Sequence, residues 1–389
     1  MTLSRLLLKP AAVALLAAAA ALAWWALVVY AVRGGNWTAL FLTGSAGPVP
    51  RALVSENVYV FPHTGYDSQF YHYLAHDPFL RRDFQASFDA PALRWRRILV
   101  PLCAWLLVAG QDRWIDRAFI AVMLALFYLG AWWMARYLEQ FGLPAWWGLA
   151  YLLLPTSLIT LDRLVVDLPL VTFSIGFLIY TREEAPFKLY LLLAAAILAR
   201  ETGLLLLVAW LLSLVAQRRI RAALFHATAA LPAAAWFLYV ASQTAPTVML
   251  GWAWRFPFQQ PWAAVQWFFT HPPANAIDRF AMVLDLLAIA GSALAIFLGL
   301  SLLRRPRVPG ESAAAVFALF AVLLTSISDL ATFTDIFGQG RILGPLTALL
   351  ACLGAGRRNR LFLVPAATHS LRIGLTLGGL GMAAAKSFW

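Results

Sequence analysis

Long apolar runs are the feature that most restricts the fold of this chain. A helix needs about 17–25 apolar residues to cross a bilayer, and runs of that length recur at residues 11–32, 115–138, 145–161, 164–181, 222–243, 279–303, 312–328 and 336–354. Lipid offers the backbone no hydrogen-bond partners, so such segments fold as helices. Only 12% of the residues are charged, against about 25% in soluble domains. The sequence predicts one all-α, polytopic transmembrane helical bundle over residues 1–389.

Three further segments decide the number of spans. Residues 187–216 are too long for one ordinary span, and the polar residues 200–203 interrupt them, which predicts two short helices. Residues 98–110 hold too few apolar residues for a normal span and predict either a short span or a helix on the membrane surface. Residues 371–385 predict a further short helix or an interfacial segment. We therefore expect about ten or eleven spans.

The orientation follows from the basic residues. Basic loops stay on the cytoplasmic side of a membrane, and this explains the runs at 217–221, 304–307 and 357–360 better than nucleic-acid binding does. With the N-terminus (Arg5, Lys9) inside, two topologies keep all three runs inside. In one, 98–110 does not cross and 187–216 forms two helices; in the other, 98–110 crosses and 187–216 is one span.

We favour the first topology because charges inside a membrane are costly and usually line a functional cavity. It gives a large first extracytoplasmic loop (33–114) containing interfacial helices, a later outer loop (244–278) and a C-terminal tail (357–389). The aromatic stretch at 251–262 in the later outer loop predicts interfacial anchoring, a lid or stacking on sugars. The charged residues that this topology gathers on the outer side are Asp162, Asp167, Arg200, Glu201 and Arg341.

The stretch HTGYDSQFYHYLAHDPF (63–79) is unusually polar for its surroundings. Apolar residues after Asp67 fall at helical spacing, which predicts a short interfacial helix. Asp67 then lies near the helix start, where a carboxylate caps the backbone. At the rim of an apolar cavity the same carboxylate can act as a general base, because partial desolvation raises its basicity. Both roles stay open.

His72 and His76 lie four residues apart, on one face of that helix, with Asp77 beside them. Zinc sites use such spacing, yet histidines in aromatic company at an interface are commoner. We therefore expect neither a metal nor another cofactor.

Two sets of arginines suggest recognition of an anion. Arg94, Arg96 and Arg97 in DAPALRWRRILVP (89–101) predict either anchoring at the headgroup level or phosphate binding by guanidinium groups. Arg200 and Arg341 each stand beside a predicted span. Converging with carboxylates, they indicate a site for an anionic, lipid-tethered substrate.

These motifs resemble the GT-C superfamily of membrane glycosyltransferases. The resemblance rests on the order of elements and on YDSQFY (66–71), RWRRILVPLCAWLL (94–107), PTSLITLDRLVVD (155–167) and RETG (200–203). Within that superfamily, YDSQFYHYLAHDPF (66–79) and RWRRILVPLCAWLL resemble a group of bacterial GT-C-like proteins with a YDxQFY motif. The resemblance implies an inverting transfer of a sugar from a polyprenyl-phosphate donor to a glycan, lipid or protein acceptor. It also implies an integral protein of the bacterial inner membrane with its site on the extracytoplasmic side.

On this hypothesis Asp67 is the general base. Arg200 and Arg341, with Arg96 or Arg97, hold the carrier phosphate, and Asp162 and Asp167 orient an acceptor or an arginine. The other residues expected to bind substrate are Tyr66, Gln69, His72 and Glu201. The paired Asp-Glu of the O-mannosyl transferases is absent, which leaves open whether Asp67 works alone. The alternatives are a transporter or flippase of a lipid-linked or anionic substrate, and a non-catalytic envelope-assembly protein.

Overall fold

The computed structural model describes residues 9–54, 57–245, 254–304 and 308–387. Arg5, part of the basic run at 304–307 and the first residues of the aromatic stretch at 251–262 lie outside these ranges. Two parallel strands of two residues each, β1 (Thr43–Gly44) and β2 (Val60–Phe61), pair within the first loop. Helices otherwise dominate the described regular structure, as predicted.

The α-helices, in chain order, are α1 (Pro10–Val32), α2 (Arg51–Val54), α3 (Ser68–His76), α4 (Pro91–Arg96), α5 (Leu99–Leu107), α6 (Asp112–Glu139), α7 (Pro155–Asp162), α8 (Leu168–Arg182), α9 (Pro186–Ala199), α10 (Leu204–Ala216), α11 (Ile220–Ala227), α12 (Leu231–Gln243), α13 (Gln259–Thr270), α14 (Ala276–Ser301), α15 (Pro309–Ile327), α16 (Leu330–Thr334), α17 (Ile336–Ile342), α18 (Gly344–Arg357) and α19 (Val364–Lys386). The 3₁₀ helices are Trp37–Phe41, Gln85–Ser87, Ala145–Leu153, Glu201–Gly203, Thr228–Ala230, Leu302–Arg304 and Arg360–Leu363.

Within the described ranges, six helical segments are long and apolar enough to cross a membrane. They are Pro10–Val32, Asp112–Glu139, Ile220–Gln243, Ala276–Arg304, Pro309–Ile327 and Arg360–Lys386. A seventh candidate is the pair α17 and α18, which is bent by 61°. The chain is thus an all-α polytopic bundle that fits an integral membrane protein. Ten or eleven spans stay a prediction, because they require the shorter helices α8, α9 and α10, and 145–162, to cross as well.

Most predicted segments have the expected form. Residues 187–216 form α9 and α10, separated by the short polar turn at Arg200–Gly203, as predicted. Helix α5 has nine residues, so at 1.5 Å per residue it is too short to cross a bilayer. The start predicted at residue 164 is wrong: α8 begins at Leu168, after an irregular turn, with Pro169 in its first turn.

Loops and charged groups lie at the two ends of the bundle. At one end Leu164 donates its backbone N–H to the carbonyl of Leu40, which joins the turn before α8 to the loop after α1. At the other end Arg136 pairs with Glu183, and Arg357 pairs with Glu311. Between the ends, α1 packs against α6 through buried side chains such as Trp25 and Phe127. The first end carries most of the residues that the sequence predicts for a site.

Candidate functional site

Asp67 directly precedes α3, but it does not cap it. Its side chain makes no capping hydrogen bond to the helix, so that alternative is wrong. One carboxylate oxygen lies 2.8 Å from Nη2 of Arg94, and the other lies 2.6 Å from Nη2 of Arg341. The Asp67 side chain keeps 28% of its surface exposed. Asp67 is therefore a doubly paired carboxylate that solvent still reaches.

Arg341 connects Asp67 to a second carboxylate. Its Nε lies 2.7 Å from Oδ2 of Asp167, while Oδ1 of Asp167 pairs with Arg200. Asp167 is almost fully buried, and it comes from the turn before α8, whereas Arg341 lies near the end of α17. Segments more than 100 residues apart in sequence thus meet around two carboxylates.

A second branch runs through the ring of Tyr71. The Tyr71 hydroxyl accepts hydrogen bonds from Nη1 of Arg97 at 3.0 Å and from Nη1 of Arg94 at 3.4 Å. Arg97 binds Glu201 through two parallel contacts of 3.0 and 2.5 Å. This branch ties α4 to the turn between α9 and α10, and it connects that turn with Asp67 through Arg94.

We call these groups the charged cluster. It consists of four arginines and four carboxylates: Arg94, Arg97, Arg200, Arg341, Asp67, Asp89, Asp167 and Glu201. Its formal charge is zero, because each set contributes four charges. Burying an unpaired charge is very costly, whereas a paired and hydrogen-bonded charge is tolerated. The pairing explains how so many ionised groups are accommodated between helices.

The arginines also determine how basic Asp67 is. Burial on its own raises the pKa of the Asp67 carboxyl, but the charges and hydrogen bonds of Arg341 and Arg94 outweigh burial and hold this pKa well below its ordinary value. The expectation that partial desolvation makes Asp67 a stronger base is therefore wrong for this arrangement. Asp67 is ionised at neutral pH and is a weak proton acceptor while both arginines face it.

A cavity of about 710 Å³ adjoins the charged cluster. Arg97, Arg200 and Glu201 line its polar side together with Arg96. Its apolar wall comes from α4, α10, α15 and α17 and includes Leu93, Leu204, Leu205, Phe320, Leu324, Ile327 and Ile342. Asp67 is not among the lining residues; the ion pairs through Asp167 and Arg341 connect it to the cavity.

Arg96 differs from the other arginines around the cavity. Within the described part of the chain it has no carboxylate within 4.0 Å, and its guanidinium lies over the ring of Phe237 at 5.7 Å. Its buried Nε has no hydrogen-bond partner. Arg96 is therefore a cation with spare donors at the wall of an apolar cavity, as an anion-binding residue requires.

The remaining predicted residues lie around the cluster rather than in it. The Tyr66 ring stacks under Arg163 at 4.3 Å and under Arg341 at 5.2 Å, so Tyr66 contacts the cluster. Asp162 pairs with its neighbour Arg163 instead. The side-chain oxygen of Gln69 accepts the backbone N–H of Gly44 at 3.1 Å, which fixes the first loop. The structure thus brings Tyr66 to the cluster and leaves Asp162 and Gln69 outside it.

His72 belongs to a separate group on the other side of α3. Its Nε2 lies 2.8 Å from Oδ1 of Asp116, near the start of α6. Its ring stacks on Phe41 with a centroid distance of 4.1 Å. The hydrogen bond and ring contacts of His72 involve Asp116 and aromatic neighbours rather than Asp67 or its arginines, so its predicted place among the substrate-binding residues gains no geometric support.

Three members of the arrangement were missing from the predicted site: Arg94, Tyr71 and Asp89. Arg94 belongs to the RWRR run, from which the sequence analysis places only Arg96 and Arg97 in the site. Residues three apart share a helix face, and Arg94 and Arg97 are three apart, whereas Arg96 points elsewhere. That spacing was the available signal. The pairing of Asp89 with Arg94, at 2.6 Å, had no comparable signal.

Comparison of the chain with protein-family models, with curated proteins and with solved structures finds no match.

Proposed function

We propose that this protein is a GT-C-type inverting glycosyltransferase of the bacterial inner membrane, which transfers a sugar from a polyprenyl-phosphate donor to an acceptor on the extracytoplasmic side. One observation carries the proposal. Arg96, Arg97 and Arg200 line the polar side of an apolar cavity. Arg200 pairs with Asp167, Asp167 pairs with Arg341, and Arg341 pairs with the solvent-accessible carboxylate of Asp67.

The composition of the cavity suits a lipid-linked phosphate. Its apolar wall would bury part of an isoprenoid chain, since burial of apolar surface is favourable. The spare donors of Arg96 would bind the phosphate, because charge-assisted hydrogen bonds from guanidinium to phosphate are strong and directional. A free sugar phosphate would leave the wall uncovered, which is why the lipid-linked form is proposed.

In the proposed reaction an acceptor hydroxyl attacks the anomeric carbon from the face opposite the phosphate. A new carbon–oxygen bond forms as the bond between the anomeric carbon and the phosphate oxygen breaks, and the configuration inverts. The hydroxyl proton passes to Asp67, and polyprenyl phosphate leaves with the bonding electrons. Guanidinium groups stabilise the negative charge that develops on the leaving phosphate. A metal is not needed for this step.

Asp67 becomes a better base once the donor is bound. A phosphate near Arg200 and Arg341 competes with Asp167 and Asp67 for these cations. The competing negative charge weakens the hold of Arg341 on Asp67 and raises the pKa of the Asp67 carboxyl toward its ordinary value. The resting ion pairs would therefore suppress Asp67 until a donor is present.

The test incubates the purified full-length protein with a panel of polyprenyl-phosphate sugars and a bacterial envelope extract that supplies glycan, lipid and protein acceptors, and it measures release of the free lipid phosphate. We expect release with one donor class, and its loss in Asp67→Asn. The matched control is Asp83→Asn, because Asp83 is an exposed carboxylate in the same loop. Full release by Asp67→Asn would remove the assignment of Asp67 as the base, and no release from any donor by the wild-type protein would reject the transferase.

One observation favours the transporter or flippase. Arg341 lies at the 61° bend between α17 and α18, and transporters bind substrates at such broken helices. The clustering of the site at one end of the bundle favours the enzyme. Movement of a fluorescent polyprenyl phosphate sugar across the bilayer of proteoliposomes, without release of lipid phosphate, would favour the transporter.

A further inference from the structure

A group of histidines and carboxylates lies between α3 and α6, outside the charged cluster. Nε2 of His72 and Nε2 of His76 lie 2.8 and 3.5 Å from the same oxygen, Oδ1 of Asp116. One potential ligand atom from each of these three residues lies within 4.8 Å of the other two. Two imidazole nitrogens thus converge on one carboxylate oxygen.

The His76 ring lies between two carboxylates, Asp112 and Asp116, an arrangement that either a second proton on the ring or a metal ion would satisfy. Nδ1 of His76 lies 3.0 Å from Oδ1 of Asp112, so a neutral His76 carries its proton on that nitrogen. Nε2 of His76 then presents a lone pair to the Asp116 carboxylate, which is itself only an acceptor. A metal ion between them would be bound by both groups. The contact with Asp112 matches the carboxylate–histidine–metal arrangement that orients metal ligands in proteins.

Arg82 fixes the carboxylate that contacts His76, and a cavity gives solvent access to Asp116. Nη2 of Arg82 lies 2.9 Å from Oδ2 of Asp112, which holds that carboxylate in place. Asp116 also lines an open cavity of about 540 Å³, beside the 3₁₀ helix Trp37–Phe41, so an ion can reach it from solvent. The histidines themselves are buried.

We propose that His72, His76 and Asp116 bind one divalent transition metal, preferably zinc, which clamps α3 to α6. Two imidazoles and one carboxylate form a common zinc ligand set, with a water completing the tetrahedron. The site departs from the metal-free expectation, in which His76 had only Asp77 as a carboxylate neighbour. Asp77 is occupied elsewhere, since its carboxylate accepts the backbone N–H groups of Arg81 and Arg82.

The clamp is independent of the proposed transfer reaction. Asp67 stands just before α3, and His76 ends it, so about 13 Å of helix separates Asp67 from His76 at 1.5 Å per residue. The metal would stabilise the position of the helix that follows Asp67, without touching the carrier phosphate.

The test uses full-length protein purified in detergent through a tag without histidine, stripped with a chelator and then given zinc alone. We expect one bound zinc per chain by mass spectrometry of the metal, and the visible spectrum of a tetrahedral site when cobalt replaces zinc. The double variant His72→Gln, His76→Gln should lose both signals. His63→Gln is the matched control, because His63 is an exposed histidine in the same loop.

Asp112→Asn keeps all three ligands and tests the orienting contact even if the double variant fails to fold. We expect a roughly 10–100-fold weaker zinc affinity, measured by competition with a coloured chelator. The proposal is overturned if the stripped wild-type protein takes up no zinc, if the double variant takes up as much, or if Asp112→Asn binds with unchanged affinity. No uptake by the wild-type protein would identify a hydrogen-bonded His–Asp group without an ion, and either of the other two results would place the zinc elsewhere.

Discussion

Replacing Asp167 by Asn should destabilise the protein more than the loss of any exposed charge. The Asp167 side chain is 3% exposed and faces Arg341 and Arg200, whose side chains are 8% and 12% exposed. An effective dielectric constant of 20 makes one such pair worth about 4 kcal/mol at 4 Å. The amide retains one acceptor, so we expect a loss of roughly 3–5 kcal/mol, the usual cost of leaving a buried partner unpaired.

The free energy of unfolding would be measured by titration with a denaturing detergent in mixed micelles. The double variant Asp167→Asn, Arg200→Gln restores the neutral balance of the cluster, so it should lose less stability than the sum of the two single variants. Interacting residues typically show coupling energies of about 0.5–3 kcal/mol. We expect at least about 1 kcal/mol here, because the two side chains are in direct contact.

Glu183→Gln is the matched control. Glu183 pairs with Arg136 near the opposite end of the bundle, and these side chains are 29% and 31% exposed. Exposed pairs contribute about 0–1 kcal/mol, so this variant should unfold almost like the wild-type protein. If Asp167→Asn costs no more than Glu183→Gln, or if the double variant is strictly additive, the cluster is not the stabilising unit described above.

Three further changes test other parts of the structure. The pKa of the Asp67 carboxyl in the folded protein lies below its ordinary value of 3.8, so the stabilising effect of the ionised carboxylate is fully present above that pH and is lost as the pH falls below it. The difference in stability between the wild type and Asp67→Asn should therefore stay constant from pH 7 to 5 and shrink toward pH 3. Gly130→Ala places a Cβ against the buried Tyr151 ring, so it should lower the free energy of unfolding in detergent by roughly 1–3 kcal/mol or more. Gly378→Ala, with open space around it, should be neutral or stabilising, and equal effects of the two substitutions would contradict the packing of α6. Arg96→Gln should weaken polyprenyl phosphate binding about 10- to 100-fold in a lipid-binding assay, because a charged hydrogen bond is lost, and it should leave the free energy of unfolding unchanged. Undiminished binding would exclude Arg96 as the phosphate contact.

The sequence predicted the helices well because run length and polarity are local properties. The interruption at Arg200–Gly203 was readable as a break between two helices, since charged residues inside an apolar run are costly. Geometry that depends on packing was not readable. The 3₁₀ conformation of Ala145–Leu153, tight against α6 at Gly148 and Gly130, and the bend before Gly344 depend on neighbouring helices rather than on their own residues.

The candidate site was predictable in its residue types but not in its pairings. Charged residues within or beside apolar runs are costly and are usually functional, and this rule identified Asp67, Asp167, Arg200 and Arg341. Arg341 lies 174 residues from Asp167 and 274 residues from Asp67, and no local pattern encodes which arginine meets which carboxylate. The same limit explains why Asp116, the partner of His72, was not anticipated from the sequence around the histidine.

Arg341 is the residue on which the proposed chemistry depends most, because two of its nitrogens serve two different carboxylates. Nη2 contacts Asp67 and Nε contacts Asp167. In the proposed reaction Asp67 loses its negative charge as it accepts the proton, and the leaving phosphate gains one. The released Nη2 can then turn to the phosphate while Nε still holds Asp167, so charge is balanced without moving the helix. A lysine carries its three donors on one nitrogen, so it lacks the separated, planar donors with which the guanidinium of Arg341 contacts Asp67 and Asp167. Arg341→Lys should therefore retain the positive charge yet lose most of the turnover, and donor binding should fall much less.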